Sequence, residues 1–220
     1  MDYFREKLYV TILANSVKQS SALKMIKKIP AIVRMINQIM FLNPSKILII
    51  TNNQNDNFVK SVVNRFVKNE NIIYIMQSES GSAIQSILPI LDDNVDNLIF
   101  EEILPFIKQS TIQSIYQYYL EENYKIIITT TMLKNPTGYS RVILDMNANP
   151  CEIIHEKKCN IVQKKIDLVN CNIYFTKSSI LHKYIPHMTS NNLSDLVKII
   201  SSDKQICGYY ILENISDILN

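Results

Sequence analysis

Apolar runs too short to be helices alternate with longer stretches of helical period through the first two-thirds of the chain. No other feature of the sequence constrains the fold as much. The runs lie at residues 8–14, 46–51, 71–76, 98–100 and 125–131. Between them, residues 30–41 carry Ile32, Met35, Ile36 and Ile39 on one helical face, and residues 55–67 carry Phe58, Val62, Val63 and Phe66. Residues 81–91 and 110–120 are expected to be helices as well. Residues 47–50 and 126–128 are unbroken Ile and Leu. Strands covered on both faces need not alternate, and a strand–helix–strand order joins parallel neighbours. The expected fold is α/β, with a mostly parallel sheet of about six or seven strands and helices on both faces. A helical bundle or a β-sandwich is excluded.

After Lys134 the rhythm changes. Pro136-Thr137-Gly138 reads as a turn, and 142–145 with 152–155 as a hairpin. A strand at 168–175, helices at 178–185 and 193–200, a strand at 206–212 and a short C-terminal helix complete the expectation. One domain over residues 1–220, with a β-rich lobe at 134–165, is the simplest organisation.

Composition narrows the function. The 220 residues are 47% hydrophobic, enough for a substantial core, and a net charge of +3 with scattered basic residues argues against a nucleic-acid partner. No run approaches the roughly 18 apolar residues of a membrane helix. Residues 1–7 lack the apolar segment of a signal peptide. The four cysteines contain no Cys-x-x-Cys pair and suit a reduced cytosol. Cys151, His155 and Cys159 have a spacing compatible with zinc on a helix, but the segment reads as a strand, and buried thiols are the simpler reading. The chain has 37 Ile, 23 Asn and 19 Lys against five Ala, four Arg and three Gly. That bias fits AT-rich coding, as in a large DNA virus, which would place the protein in a host cytoplasm. It also erodes Gly- and Arg-containing motifs.

In open α/β sheets ligands bind beyond the carboxyl ends of the strands. The segments there are 15–24, 77–83, 101–105 and 133–141, with the neighbourhoods of Asn170 and Asp217. Several carry a resemblance. The segment Lys134-Asn-Pro-Thr-Gly-Tyr-Ser-Arg141-Val resembles the Lys-Asp-Pro-Thr-Gly-Tyr-Gly-Arg-Ile segment of bacterial N-acetylglucosamine-1-phosphate uridylyltransferases. Ile154-His-Glu-Lys-Lys158 is similar to that family's Val-Glu-His-Lys-Asp, and Asn170-Cys-Asn-Ile173 to its Asn-Thr-Gly-Ile. Asn191-Asn192 followed by Leu193-Ser-Asp195, and Ala22-Leu23-Lys24-Met25-Ile26, are similar to Asn-Asn…Leu-Thr-Asp and Leu-Pro-Lys-Val-Leu. The order holds over roughly residues 8–217.

The resemblance implies a Rossmann-like fold of the nucleotide-diphospho-sugar transferase type. It implies joining of a sugar 1-phosphate to UTP with release of pyrophosphate, and Mg²⁺ as cofactor. The β-helix acetyltransferase domain of the bacterial bifunctional proteins is expected to be absent, since no hexapeptide repeat is present. Lys24 takes the position of the phosphate-binding lysine, although a solvated lysine beside a helix would look the same. Leu13, Ala14, Lys18, Gln77, Gly81 and Ser82 fall on the nucleotide side. Gly138, Tyr139, Glu156 and Asn170 fall on the sugar side, where His155 is an alternative to Glu156 and Gly138 is equally explicable as a turn residue. Glu102, with Glu101 as alternative, and Asp217, with Ser216 as alternative, are the implied metal ligands. Tyr139, Glu156 and Asn170 are expected in one cleft.

The nucleotide side departs from the family. Leu-Ala-Ala-Gly-x-Gly-x-Arg-Met is replaced by Leu13-Ala-Asn-Ser-Val-Lys-Gln-Ser-Ser21, with no glycine and no arginine. Glycines allow the backbone close to phosphates, and arginine neutralises them. The uracil-reading loop is contracted to Gln77-Ser-Glu-Ser-Gly81-Ser82-Ala83, and Ser140 replaces another glycine. A catalytically weak or inactive homologue serving as a binding or scaffolding subunit is therefore the alternative. A glycosyltransferase on the same sheet is a third reading, which lacks its Asp-x-Asp motif.

Overall fold

The computed structural model describes residues 7–15, 20–78, 82–190 and 192–213. Lys18, Gly81, Asn191, Ser216, Asp217 and the expected C-terminal helix lie outside them. In chain order the elements begin with β1 (Leu8–Leu13), α1 (Ser20–Leu23), the two-residue strands β2 (Met25–Ile26) and β3 (Ile29–Pro30), α2 (Ala31–Ile39), β4 (Lys46–Thr51) and α3 (Asp56–Phe66). They continue with β5 (Ile72–Met76), β6 (Asp96–Phe100), α4 (Gln109–Glu121), β7 (Ile126–Met132), β8 (Arg141–Leu144) and β9 (Pro150–Ile154). The last are β10 (Leu168–Lys177), α5 (Ser178–Tyr184), α6 (Ser194–Ser202) and β11 (Cys207–Ile211).

Seven strands form the main sheet in the order β11-β7-β10-β6-β1-β4-β5, and only β10 runs against its neighbours. The hairpin β8–β9 continues from β10, where Arg141 faces Val169. Strand parity sorts the side chains. Val10, Ile12, Ile47, Ile49, Leu98 and Phe100 join a core with α2, α3 and α4. Tyr9, Leu48, Ile50 and Ile99 point the other way, into a core with α5 and α6. At about 25 cal/mol per Å² of apolar surface removed from water, these two buried faces are the main stabilising term. They also explain why the strands read as unbroken apolar runs.

Two local findings differ from the sequence expectation. The stretch expected as a helix at 81–91 is a 3₁₀ helix over Ile84–Ile90 with Pro89 inside it. Proline removes a backbone donor, and Ile84 and Ile87, three apart, present one buried face to the tighter spiral. The second is an irregularity in β10 between Asn170 and Tyr174, where Asn172 has φ +60°. Asn172 occupies the glycine position of the resembled Asn-Thr-Gly-Ile, and asparagine is among the few residues that tolerate that conformation. In β11, a Cβ on Gly208 would lie 2.3 Å from the Tyr124 ring, so only glycine fits there.

Candidate functional site

Because β1, β4, β5, β6, β7 and β11 point the same way, Leu13, Thr51, Met76, Phe100, Met132 and Ile211 end along one edge of the sheet. The antiparallel β10 starts at that edge, with Asn170 opposite Thr130 and Ile173 opposite Phe100. Residues from distant parts of the chain therefore meet there.

On the expected nucleotide side, Leu13 and Ala14 are buried, and the Ala14 N–H donates to the Ile50 carbonyl at 2.8 Å. The backbone beyond β1 is held by three asparagines. Asn55 Nδ2 donates to the Ala14 carbonyl at 2.6 Å, and Asn52 Nδ2 to the Asn15 carbonyl at 2.9 Å. Asn15 Nδ2 reaches Gln77 Oε1 at 2.6 Å, joining the ends of β1 and β5. Ser82 is buried, and its hydroxyl has no partner among the described residues. Lys24 is exposed just after α1, and its carbonyl accepts the Ala31 N–H at 2.9 Å. Asn52 and Asn55 were not among the residues expected here, although the Asn-rich run directly after a strand was a visible signal.

On the expected sugar side the residues converge. The turn at 136–139 closes with the Tyr139 N–H on the Pro136 carbonyl at 3.1 Å, and Gly138 has φ +93°. The Gly138 N–H donates to the Glu156 carboxylate. Arg141, 1% exposed, donates to the Tyr139 carbonyl and lies 3.6 Å from Glu156 Oε1. The Asn170 N–H donates to the Ser140 carbonyl at 3.0 Å. Tyr139, Glu156 and Asn170 thus all adjoin the segment 138–141. Between the two alternatives, Glu156 turns toward Gly138. His155 instead lines a cavity of about 540 Å³ between β9 and α6, together with Lys158, His187, Asn192, Asp195 and Lys198. Burial raises the Tyr139 phenol above its ordinary value, and Cys171 and Glu102 add to the rise.

The two consecutive carboxylates after β6 have different surroundings. Glu101 accepts the Tyr174 hydroxyl at 2.8 Å and the Leu193 N–H at 2.7 Å. Burial pushes its carboxyl up to about 7, partly opposed by those two hydrogen bonds and reinforced by Glu102 and Asp195. Glu102 is exposed at the edge. Both Glu101 oxygens accept hydrogen bonds inside the protein, while the Glu102 side chain is exposed. No group of three His, Cys, Asp or Glu side chains suited to a metal occurs among the described residues. One hard carboxylate still fits Mg²⁺, which takes few protein ligands and completes its shell with waters and phosphate oxygens.

No family model matches the chain. The probable UDP-N-acetylglucosamine pyrophosphorylase of Acanthamoeba polyphaga mimivirus is 40% identical over 213 residues, covering 90% of this chain and 83% of the relative. The chain belongs to the UDP-N-acetylglucosamine pyrophosphorylase family of nucleotidyltransferases. Within that family's wider circle, the bifunctional protein GlmU of Clostridioides difficile is 27% identical over 159 residues, 68% of this chain. The match spans about a third of that relative's length, 35%. A crystal structure of a putative glucose-1-phosphate thymidylyltransferase from Bacillus anthracis superposes with a TM-score of 0.68 at 14% identity, covering 94% of this chain and 87% of the other. At that identity the likeness establishes the fold alone. It agrees with the nucleotide-diphospho-sugar transferase architecture, and no described helix is long and apolar enough to cross a membrane.

Proposed function

We propose that the protein joins UTP to N-acetylglucosamine 1-phosphate, giving UDP-N-acetylglucosamine and pyrophosphate. The observation that carries this reading is the cluster in which Gly138, Tyr139, Glu156 and Asn170 adjoin one segment within the field of Glu102. A phosphate oxygen of the sugar phosphate attacks the α-phosphorus of UTP. The new O–P bond forms as the bond to the β-phosphate oxygen breaks, and pyrophosphate leaves with that electron pair. Two polyanions must approach, so catalysis rests on positioning and on neutralising charge. Lys24 is assigned to the phosphates. Glu156 and the Asn170 oxygen accept sugar hydroxyl protons, and the ring packs against Tyr139. Gln77, Ser82 and the segment at Leu13 and Ala14 are assigned to the nucleotide, as are Lys18 and Gly81. Glu102, with Asp217, is assigned to Mg²⁺, which when bound neutralises phosphate charge.

The test is pyrophosphate release with UTP, Mg²⁺ and a panel of sugar 1-phosphates. N-acetylglucosamine 1-phosphate is expected to give the highest kcat/KM. Turnover led by another sugar would overturn the assignment of substrate. Binding of UTP and the sugar phosphate without any pyrophosphate would favour a non-catalytic binding subunit.

A further inference from the structure

Resting on the reading of Asn170 as a sugar-binding residue, we infer that Glu101 and Tyr174 form a directional hydrogen-bond relay that fixes which end of the Asn170 amide faces the site. The geometry sets its polarity. The Leu193 N–H at the start of α6 donates to Glu101 Oε1 at 2.7 Å. With Glu101 ionised, Tyr174 donates its single hydroxyl proton to Glu101 Oε2 at 2.8 Å. Its oxygen can then only accept from Asn170, and it does, from Nδ2 at 2.7 Å. The second Nδ2 proton goes to Asn172 Oδ1 at 2.7 Å, and Asn170 Oδ1 accepts the Asn172 N–H at 3.2 Å. Both Asn170 donors are therefore spent inside the protein. The lone pair left on Oδ1 makes the amide an acceptor toward a sugar hydroxyl. Tyr174 is fully buried, so water cannot substitute for it in the relay.

Glu101→Gln is nearly isosteric and reverses the polarity. The Leu193 N–H still requires an acceptor, so the glutamine oxygen turns to it and the amide NH₂ turns to Tyr174. The tyrosine proton is then directed at Asn170, whose oxygen must rotate away from the site. Tyr174→Phe cuts the relay instead. Both are positioning residues, since neither touches the reacting atoms. In Glu101→Gln, the KM for N-acetylglucosamine 1-phosphate is expected to rise about tenfold, the loss of one well-placed hydrogen bond. The KM for UTP should stay within about twofold, because only the sugar end is disturbed. Added to Tyr174→Phe, Glu101→Gln should have no further effect on the sugar KM, since the signal passes through the hydroxyl. Equal changes in both KM values, or an additive double variant, would mean general destabilisation and overturn the relay.

A second readout does not need turnover. In ¹⁵N-labelled protein, the Asn170 side-chain amide signals, assigned by their loss in Asn170→Ser, should shift in both variants while backbone signals away from β10 stay in place. Unshifted Asn170 signals would refute the relay. Shifted signals in a protein that releases no pyrophosphate would support the relay and overturn the sugar-nucleotide reading.

Discussion

Arg141 is the residue whose structural role the sequence hid most completely. It falls inside the resembled Pro-Thr-Gly-Tyr segment, yet its side chain is buried between the turn and Glu156, reaching the carbonyls of Tyr139 and, at 3.5 Å, Lys164. Removing one partner of a buried ion pair leaves the other uncompensated. Arg141→Met is expected to cost about 3 kcal/mol, at the lower end of the range for buried pairs because Glu156 is partly exposed. The urea midpoint measures this, and a loss below about 1 kcal/mol would contradict the role. Residue identities along the sugar side were legible because short motifs kept their order. The roles of Glu101 and Glu102 were ambiguous, because two adjacent carboxylates follow the same strand. Glu101 is hydrogen-bonded to Tyr174 and to the Leu193 N–H at the start of α6 whereas Glu102 is exposed, which supports assigning the cation to Glu102. On the nucleotide side, motif order located Gln77 but could not show that its carboxamide binds Asn15.

Among the elements, strands buried on both faces were the most legible, and Lys46–Thr51 matches its expected bounds. Hydrophobic period alone could not separate an α-helix from the 3₁₀ helix over Ile84–Ile90, because spacing three suits both. The hairpin of β2 and β3 left no periodic trace, being two residues per strand. At the start of α3, Asp56 shows how an element end is secured. Burial raises its pKa, but the Lys60 ammonium at 2.7 Å and the Thr51 hydroxyl at 2.6 Å outweigh burial and hold it below the usual carboxylate range. A depressed carboxylate contributes stability above its unfolded-state pKa and loses it as pH falls through the folded value. Stability should therefore drop below about pH 4 more steeply in the wild type than in Asp56→Asn. Urea midpoints between pH 3 and 6 would show this. Parallel curves for the two proteins would mean that Asp56 does not act this way.

For the whole molecule, a sheet with one reversed strand brings β1, β5, β6 and β10 to a single edge, so residues more than a hundred positions apart meet there. Sugar-nucleotide synthesis at that edge must proceed despite a glycine-free first loop. The asparagine clamps on Ala14 and Asn15 hold this loop's entry, in place of the flexibility glycine would give. The most direct test is ³¹P NMR of the intact protein with UTP, N-acetylglucosamine 1-phosphate and Mg²⁺. The account predicts growth of the diphosphate doublets of UDP-N-acetylglucosamine in equal proportion to pyrophosphate, abolished by EDTA and reduced at least about 100-fold by Lys24→Ala, as for loss of a charge stabilising a transition state. Unchanged substrate signals over many hours at high protein concentration, or turnover indifferent to Lys24, would contradict it.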